Sequence, residues 1–278
     1  MTFKDTLPKL SRYTLGTMGM TDKNNPDHIK TARAGMDAGI WFHSSADYPG
    51  VNAVLKIAFK EDPAHVPHLI LKTDGKGPDK LKATVENQVR DLGIAKIDIA
   101  QVCGEPEVDK SLRPGCALYE MMCDLKQRGL VGNFVMESWR WTSGEALKAV
   151  QDELFDAHTF YWNATERQAT NELMDLMRRK NTKILALRTL GGGTYNRDPD
   201  VPEERVKAIH EIYERSGCAS EVDFRLRFIL SQPNVLTTIG GASKVERLNM
   251  YLEAERNFEP LDRKIIERIE ALHRQWYV

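Results

Sequence analysis

Short apolar runs alternate with amphipathic stretches along the whole chain. Tyr13–Gly16 reads as a first strand. A helical stretch from Ile29 to Ala38 ends at Gly39, and the apolar run Ile40–Phe42 follows. Leu69–Leu71 comes after His65-Val66-Pro67 and leads into a helical stretch, Leu81 to Leu92, closed by Gly93. Ile97–Val102 is rich in β-branched residues and predicts a strand. The pattern then predicts a helix over Leu118–Arg128, closed by Gly129, a strand over Phe134–Met136, a helix over Gly144–Leu154 and a strand over Phe160–Trp162. Helix Leu173–Lys180, strand Ile184–Leu187, helices Glu203–Ser216 and Ser220–Ser231, and strand Val235–Ile239 follow. Helices from Val245 and from Leu261 close the chain. Glycine after a helical run, then an apolar run of strand length, is the punctuation expected of such units. Strands alternating with helices throughout imply a parallel sheet. About eight such units fit a closed (β/α)8 TIM barrel. The rival, a doubly wound open sheet, needs a glycine-rich turn after its first strand, and Gly16-Thr17-Met18-Gly19 lacks the full dinucleotide fingerprint. Gly191 to Pro202 reads as a long strand-to-helix loop of the barrel.

Composition narrows the function classes. A chain of 278 residues that is 41% hydrophobic and 28% charged can bury a sizeable core, and residues 1–278 are expected to form one barrel domain. A net charge of −1 gives no electrostatic footprint for nucleic acid. No apolar run is long enough to span a membrane, and Met1 to Pro8 lacks the apolar stretch of a secretory signal, so a cytoplasmic location is expected. Cys103, Cys116, Cys123 and Cys218 show neither metal-ligand spacing nor a disulfide framework and are expected to be reduced thiols. No metal is expected. Trp139-Arg140-Trp141 after the fifth strand could wall a substrate pocket or pack as ordinary aromatics.

Several segments, in order, resemble the aldo-keto reductases. Tyr13 to Gly19 resembles that family's opening strand, and Ala38 to Phe42 followed by Tyr48 resembles its second strand and catalytic tyrosine. Leu69-Ile70-Leu71-Lys72-Thr73 resembles the third strand with its lysine. Leu92-Gly93 to Ile99, and Leu125 to Gly129 with Phe134, resemble the fourth and fifth units. Leu185 to Gly193 resembles the seventh unit, and Ile239 to Ser243 with Arg247 resembles the phosphate segment after the eighth.

The resemblance implies hydride exchange between a nicotinamide and a carbonyl or sugar. It assigns the roles to a tyrosine acid, a lysine, an aspartate paired with the lysine, and a carbonyl-polarising histidine. Tyr48 and Lys72 match the first two. His43 stands at the aspartate position, five residues before Tyr48, and Cys103 stands at the histidine position, five after Asp98. An imidazole cannot supply a carboxylate's charge, so His43 and Lys72 at close range should depress one pKa or both. On that expectation, His43→Asp raises carbonyl reduction, while Lys72→Met and Tyr48→Phe abolish turnover. Cys103 reads as apolar filler, as a nucleophile if ionised, or as a metal ligand with His43 and Glu137 or Glu105, although no spacing supports the last.

For the nicotinamide pocket, the resemblance aligns Glu137, Ser138 and Thr159 with the carboxamide-binding positions and Leu187 or Arg188 with the ring-stacking one. Gly191-Gly192-Gly193 can bring backbone N–H groups close to a pyrophosphate, and Gly16, Thr17, Leu190 and Gly241 are further expected cofactor-binding positions. Ser243, Lys244 and Arg247 lie at a predicted helix start that favours anions. Arg247 matches an arginine near the adenosine 2′-phosphate, which implies NADP(H), with NAD(H) as the alternative. Three readings follow: an NADP-dependent oxidoreductase of a small carbonyl or sugar, a redox-neutral lyase, dehydratase or isomerase using Tyr48, Lys72 and His43 for proton transfer, and a non-catalytic nucleotide-binding relative. Neither nucleic acid nor membrane is an expected partner, and the oligomeric state is not specified by the pattern.

Overall fold

A computed structural model describes residue 3 and residues 7–48, 50–73, 77–103, 113–138, 143–191 and 201–277. Eight strands, β1 (Tyr13–Gly16), β2 (Trp41–Ser45), β3 (Leu69–Thr73), β4 (Ile97–Cys103), β5 (Val131–Glu137), β6 (Ala157–Tyr161), β7 (Lys183–Leu187) and β8 (Val235–Gly241), pair in sequence order. All pairings are parallel, and β8 returns to β1 to close the barrel. The fold is the expected (β/α)8 barrel.

Between the strands run α1 (Pro26–Asp37), α2 (Val51–Glu61), α3 (Pro78–Leu92), α4 (Ala117–Gln127), α5 (Ser143–Gln151), α6 (Asn171–Lys180), α7 (Glu203–Glu214), α8 (Glu221–Leu230), α9 (Val245–Arg256) and the closing α10 (Arg263–Trp276). Side-chain caps begin several of them. Asn25 accepts from Asp27 N ahead of α1, Thr170 from Leu173 N ahead of α6, and Ser220 from Asp223 N ahead of α8. Each meets a backbone N–H that the helix itself leaves unpaired. Gly93 and Asn181 end α3 and α6 in the left-handed conformation.

Two cores result from the alternation of side chains along the strands. Trp41, Ile70, Ile99, Val135, Ala157, Leu185, Leu187 and Ile239 fill the barrel interior. The opposite faces, including Leu15, Phe42, Leu71, Val102, Phe134 and Phe160, pack beneath the helices. A side chain of this size, fully buried, contributes roughly 1.5–3 kcal/mol. The barrel interior formed by these residues is therefore a packed core, and in barrels of this kind chemistry is sited at the carboxyl-terminal mouth.

The structure adds α2, which the sequence pattern left unassigned, and draws β6 over Ala157–Tyr161 where Phe160–Trp162 was expected. Trp162 instead forms an isolated bridge to Arg167 just beyond the strand. The expected loop over Gly191 to Pro202 falls largely on residues 192–200, outside the described residues.

Candidate active site

Along a strand, every second side chain faces the barrel axis. Above Trp41, Ile70, Ile99, Val135, Ala157 and Leu185, the next inward positions are His43, Lys72, Gln101, Glu137, Thr159 and Leu187. One further step up β6 is Tyr161. All of these except Thr159 line a cavity of about 430 Å³, which extends over Gly16, Thr17, Thr189 and Leu190 to Gly241, Ser243 and Arg247. Tyr48 enters from the turn after β2, where its N–H bonds Ser45 O at 3.2 Å.

Lys72 carries its ammonium towards β5. Its Nζ lies 3.1 Å from Glu137 Oε1, and the side chains are 28% and 1% exposed respectively. The counter-charge that His43 cannot supply thus comes from the far side of β4. His43 is itself buried, and its Nε2 donates to Gln101 Oε1 at 3.0 Å. Burial lowers its pKa to about 4; Lys72 adds only a minor push in the same direction, while Gln101 and Glu137 oppose it. Of the His43–Lys72 pair, in which one pKa or both were expected to fall, His43 is lowered chiefly by desolvation and not by Lys72, and Lys72 has a carboxylate neighbour in Glu137.

Burial also raises the Tyr48 phenol above its ordinary value, and the nearby Lys72 offsets this only in part. At neutral pH Tyr48 therefore holds a proton it can donate. Tyr161 is raised by burial too, against the pull of Arg188 and Lys72. The Arg188 guanidinium sits 4.5 Å from the Tyr161 ring centroid. Its backbone is held at φ 62, with its carbonyl accepting from Asn163 Nδ2 at 3.0 Å. A non-glycine residue in this region is strained, and such strain gathers at functional sites.

The other end of the cavity is anion-seeking. Ser243 and Arg247 flank the first turn of α9, where the amide groups and dipole of a helix N-terminus favour negative charge. Thr17 ties this loop region to β2, since its N and Oγ1 both donate to His43 O at 3.0 Å.

The sequence profile of the Aldo/keto reductase family matches residues 12–274. The chain belongs to the aldo/keto reductase family. Its fold is similar to an aldo/keto reductase of Klebsiella pneumoniae in complex with NADP and acetate, with TM-score 0.73, 17% identity and coverage of 96% of this chain and 92% of that one. It is similar to a holo-form aldo-keto reductase of Bacillus halodurans, with TM-score 0.75, 18% identity and coverage of 95% and 92%. It is also similar to the glycerol dehydrogenase of Gluconobacter oxydans, with TM-score 0.75, 18% identity and coverage of 100% and 95%. No curated protein matches the sequence.

In this aldo/keto reductase, several anticipated positions lie away from the cavity wall. Ser138 turns its hydroxyl to His158 Nδ1 at 2.9 Å, and Thr159 is buried below Tyr161. Gly191 closes a turn back to Arg188 O at 2.7 Å, and Lys244 is exposed ahead of α9. Cys103 ends β4 opposite Glu137 in register, and only its backbone is described. Gly193, Glu105 and Trp139 to Trp141 lie outside the described residues. Gln101, Tyr161 and Thr189 line the cavity without having been anticipated. Counting by twos from Lys72 and Glu137 to the neighbouring strands was the signal that would have found the first two. Among the described residues no group of three or more His, Cys, Asp or Glu side chains gathers as metal ligands would, and no helix is long and apolar enough to cross a membrane.

Proposed function

We propose that this chain, acting as one barrel domain over residues 1–278, is an NADP(H)-dependent oxidoreductase of a small carbonyl or sugar substrate. The observation that carries the proposal is one cavity lined by a protonated phenol, Tyr48, and an ammonium, Lys72, at one end and by Ser243 and Arg247 at a helix N-terminus at the other. The donor set fits the nucleotide. Arg247, Ser243 and the first amides of α9 suit phosphate. Leu187 and Tyr161 offer apolar and aromatic surface in the same cavity.

NADPH, when bound, supplies a hydride. The protein's own part is proton handling and charge balance. Tyr48 donates the proton on its Oη to the substrate oxygen, and Lys72 stabilises the negative charge left on the phenol. Glu137 balances Lys72 within the buried floor. His43, neutral and bonded to Gln101, forms a fixed wall of the same floor. Its low basicity leaves the proton transfer to Tyr48.

Steady-state assays of NADPH oxidation against a panel of aldehydes, ketones and sugars test this reading. Turnover is expected in the native chain, with losses of roughly 10²-fold or more in Tyr48→Phe and Lys72→Met. Native rates in both variants would refute the assignment. Conversion of substrate without nicotinamide consumption would establish the redox-neutral reading in its place.

A further inference from the structure

We infer that Glu137 is a positioning residue for the reaction: it acts through Lys72, holding the ammonium at the cavity floor beside Tyr48. The inference rests on the oxidoreductase reading above.

Three observations carry it. The Glu137 carboxylate is 1% exposed and lies 3.1 Å from Lys72 Nζ. A carboxylate so far from water persists in its charged form only when a cation and hydrogen bonds compensate it. Glu137 also lies on the inward face of β5, level with Thr159 of β6 and beside Cys103 of β4, so its backbone is fixed by pairing on both sides. Lys72, by contrast, has a long flexible stem and is the more exposed partner. The rigid, buried member of a pair sets the place of the mobile one. Finally, the inward position of β2 holds an uncharged imidazole whose hydrogen bond goes to Gln101. On β2 and β4 the groups at this level are thus neutral, and among the described residues Glu137 is the carboxylate of the cavity lining.

The arrangement makes a distinctive prediction. The carboxylate's job depends on charge near Lys72 and not on the strand that supplies it. Charge removed from β5 can be restored from β2, because His43 and Lys72 face the same floor and interact electrostatically.

Glu137→Gln keeps the size of the side chain and a hydrogen-bond acceptor while removing the charge. Its kcat should fall roughly 10²-fold with little change in substrate KM, and the pH dependence of kcat should change shape. Glu137→Asp should recover part of the loss. Glu137→Gln combined with His43→Asp should recover at least tenfold over Glu137→Gln alone and restore the native pH profile. A purely structural role would give a uniform loss at every pH and no rescue from β2. Wild-type kcat and pH profile in Glu137→Gln would overturn the inference. A readout independent of turnover accompanies the assays. Melting temperatures of Lys72→Met, Glu137→Gln and the double variant should be strongly non-additive, the double variant melting no lower than the worse single one. Additive shifts would overturn the pairing. A native chain that reduces no carbonyl while the melting shifts remain non-additive would sink the oxidoreductase reading and leave the pair standing.

Discussion

Glu137 buries a carboxylate at the floor of a cavity whose other charged linings among the described residues are the cations Lys72, Arg188 and Arg247. Removing one partner of a buried pair is costly because the remaining charge loses both partner and solvent. Lys72→Met should therefore destabilise the fold by about 3 kcal/mol, at the low end for buried pairs because Lys72 keeps 28% exposure. Denaturant unfolding measures this directly, and a loss below about 1 kcal/mol would place the pair among ordinary surface ion pairs. His43→Asp in the native background now carries the opposite expectation from a simple restoration of counter-charge. It would set a second carboxylate in the floor that already holds Glu137. The variant should melt lower and reduce carbonyls no faster than the native chain; a gain in rate would contradict this. The family resemblance made Tyr48, Lys72 and His43 legible as a group, because each stands at a position of that pattern. The partner of Lys72 was not legible, because it comes from β5 across β4, and such a pair appears only once the registers of β3, β4 and β5 are known.

The turn between β2 and α2 shows how elements place the phenol. Gly50 adopts φ +73, and a Cβ there would fall 1.9 Å from Thr21 O. Only glycine satisfies both demands. Gly50→Ala should cost more than about 1 kcal/mol and displace Tyr48, so kcat should fall further than substrate KM rises. Kinetics together with a thermal melt test this, and an unchanged kcat would show that the turn does not set the phenol's place. The same glycine explains why α2 was hidden in the sequence. Val51, Val54, Leu55, Ala58 and Phe59 do recur at helical spacing, but Gly50 provides no side-chain cap to mark the start. β6 was misplaced for a different reason. His158 and Thr159 are polar yet fully buried, with His158 paired to Ser138, so the strand's first half does not read as apolar. Trp162 extends the apolar run beyond the strand's end.

At the scale of the molecule, burial of histidines sets the response to acid. His43 is lowered to about 4, and His158 and His273 to about 3, burial being the leading cause for each. An unfolded histidine titrates near 6.5. Between about pH 6.5 and 4 the unfolded chain therefore takes up protons that the folded chain refuses. Stability should fall as pH drops through that window, with a slope of up to about 1.4 kcal/mol per pH unit for each histidine. His273→Gln, which keeps a donor for Ala164 O, should flatten the slope; melting curves from pH 7 to 4.5 that do not shift would contradict the account. The barrel as a whole was legible in the alternation of runs, α2 and the bounds of β6 apart, since parallel strands alternating with helices leave such a signature. The cavity's far end was legible in Gly241, Ser243 and Arg247, which the closure of β8 onto β1 brings above the same mouth as Lys72. Whether that mouth takes a nicotinamide nucleotide is the point on which the rest depends. Fluorescence titration with NADPH and with NADH decides it. Saturable binding, tighter for NADPH and weakened roughly tenfold in Arg247→Met, is the predicted result. No nucleotide-dependent change in fluorescence with either nucleotide would contradict it.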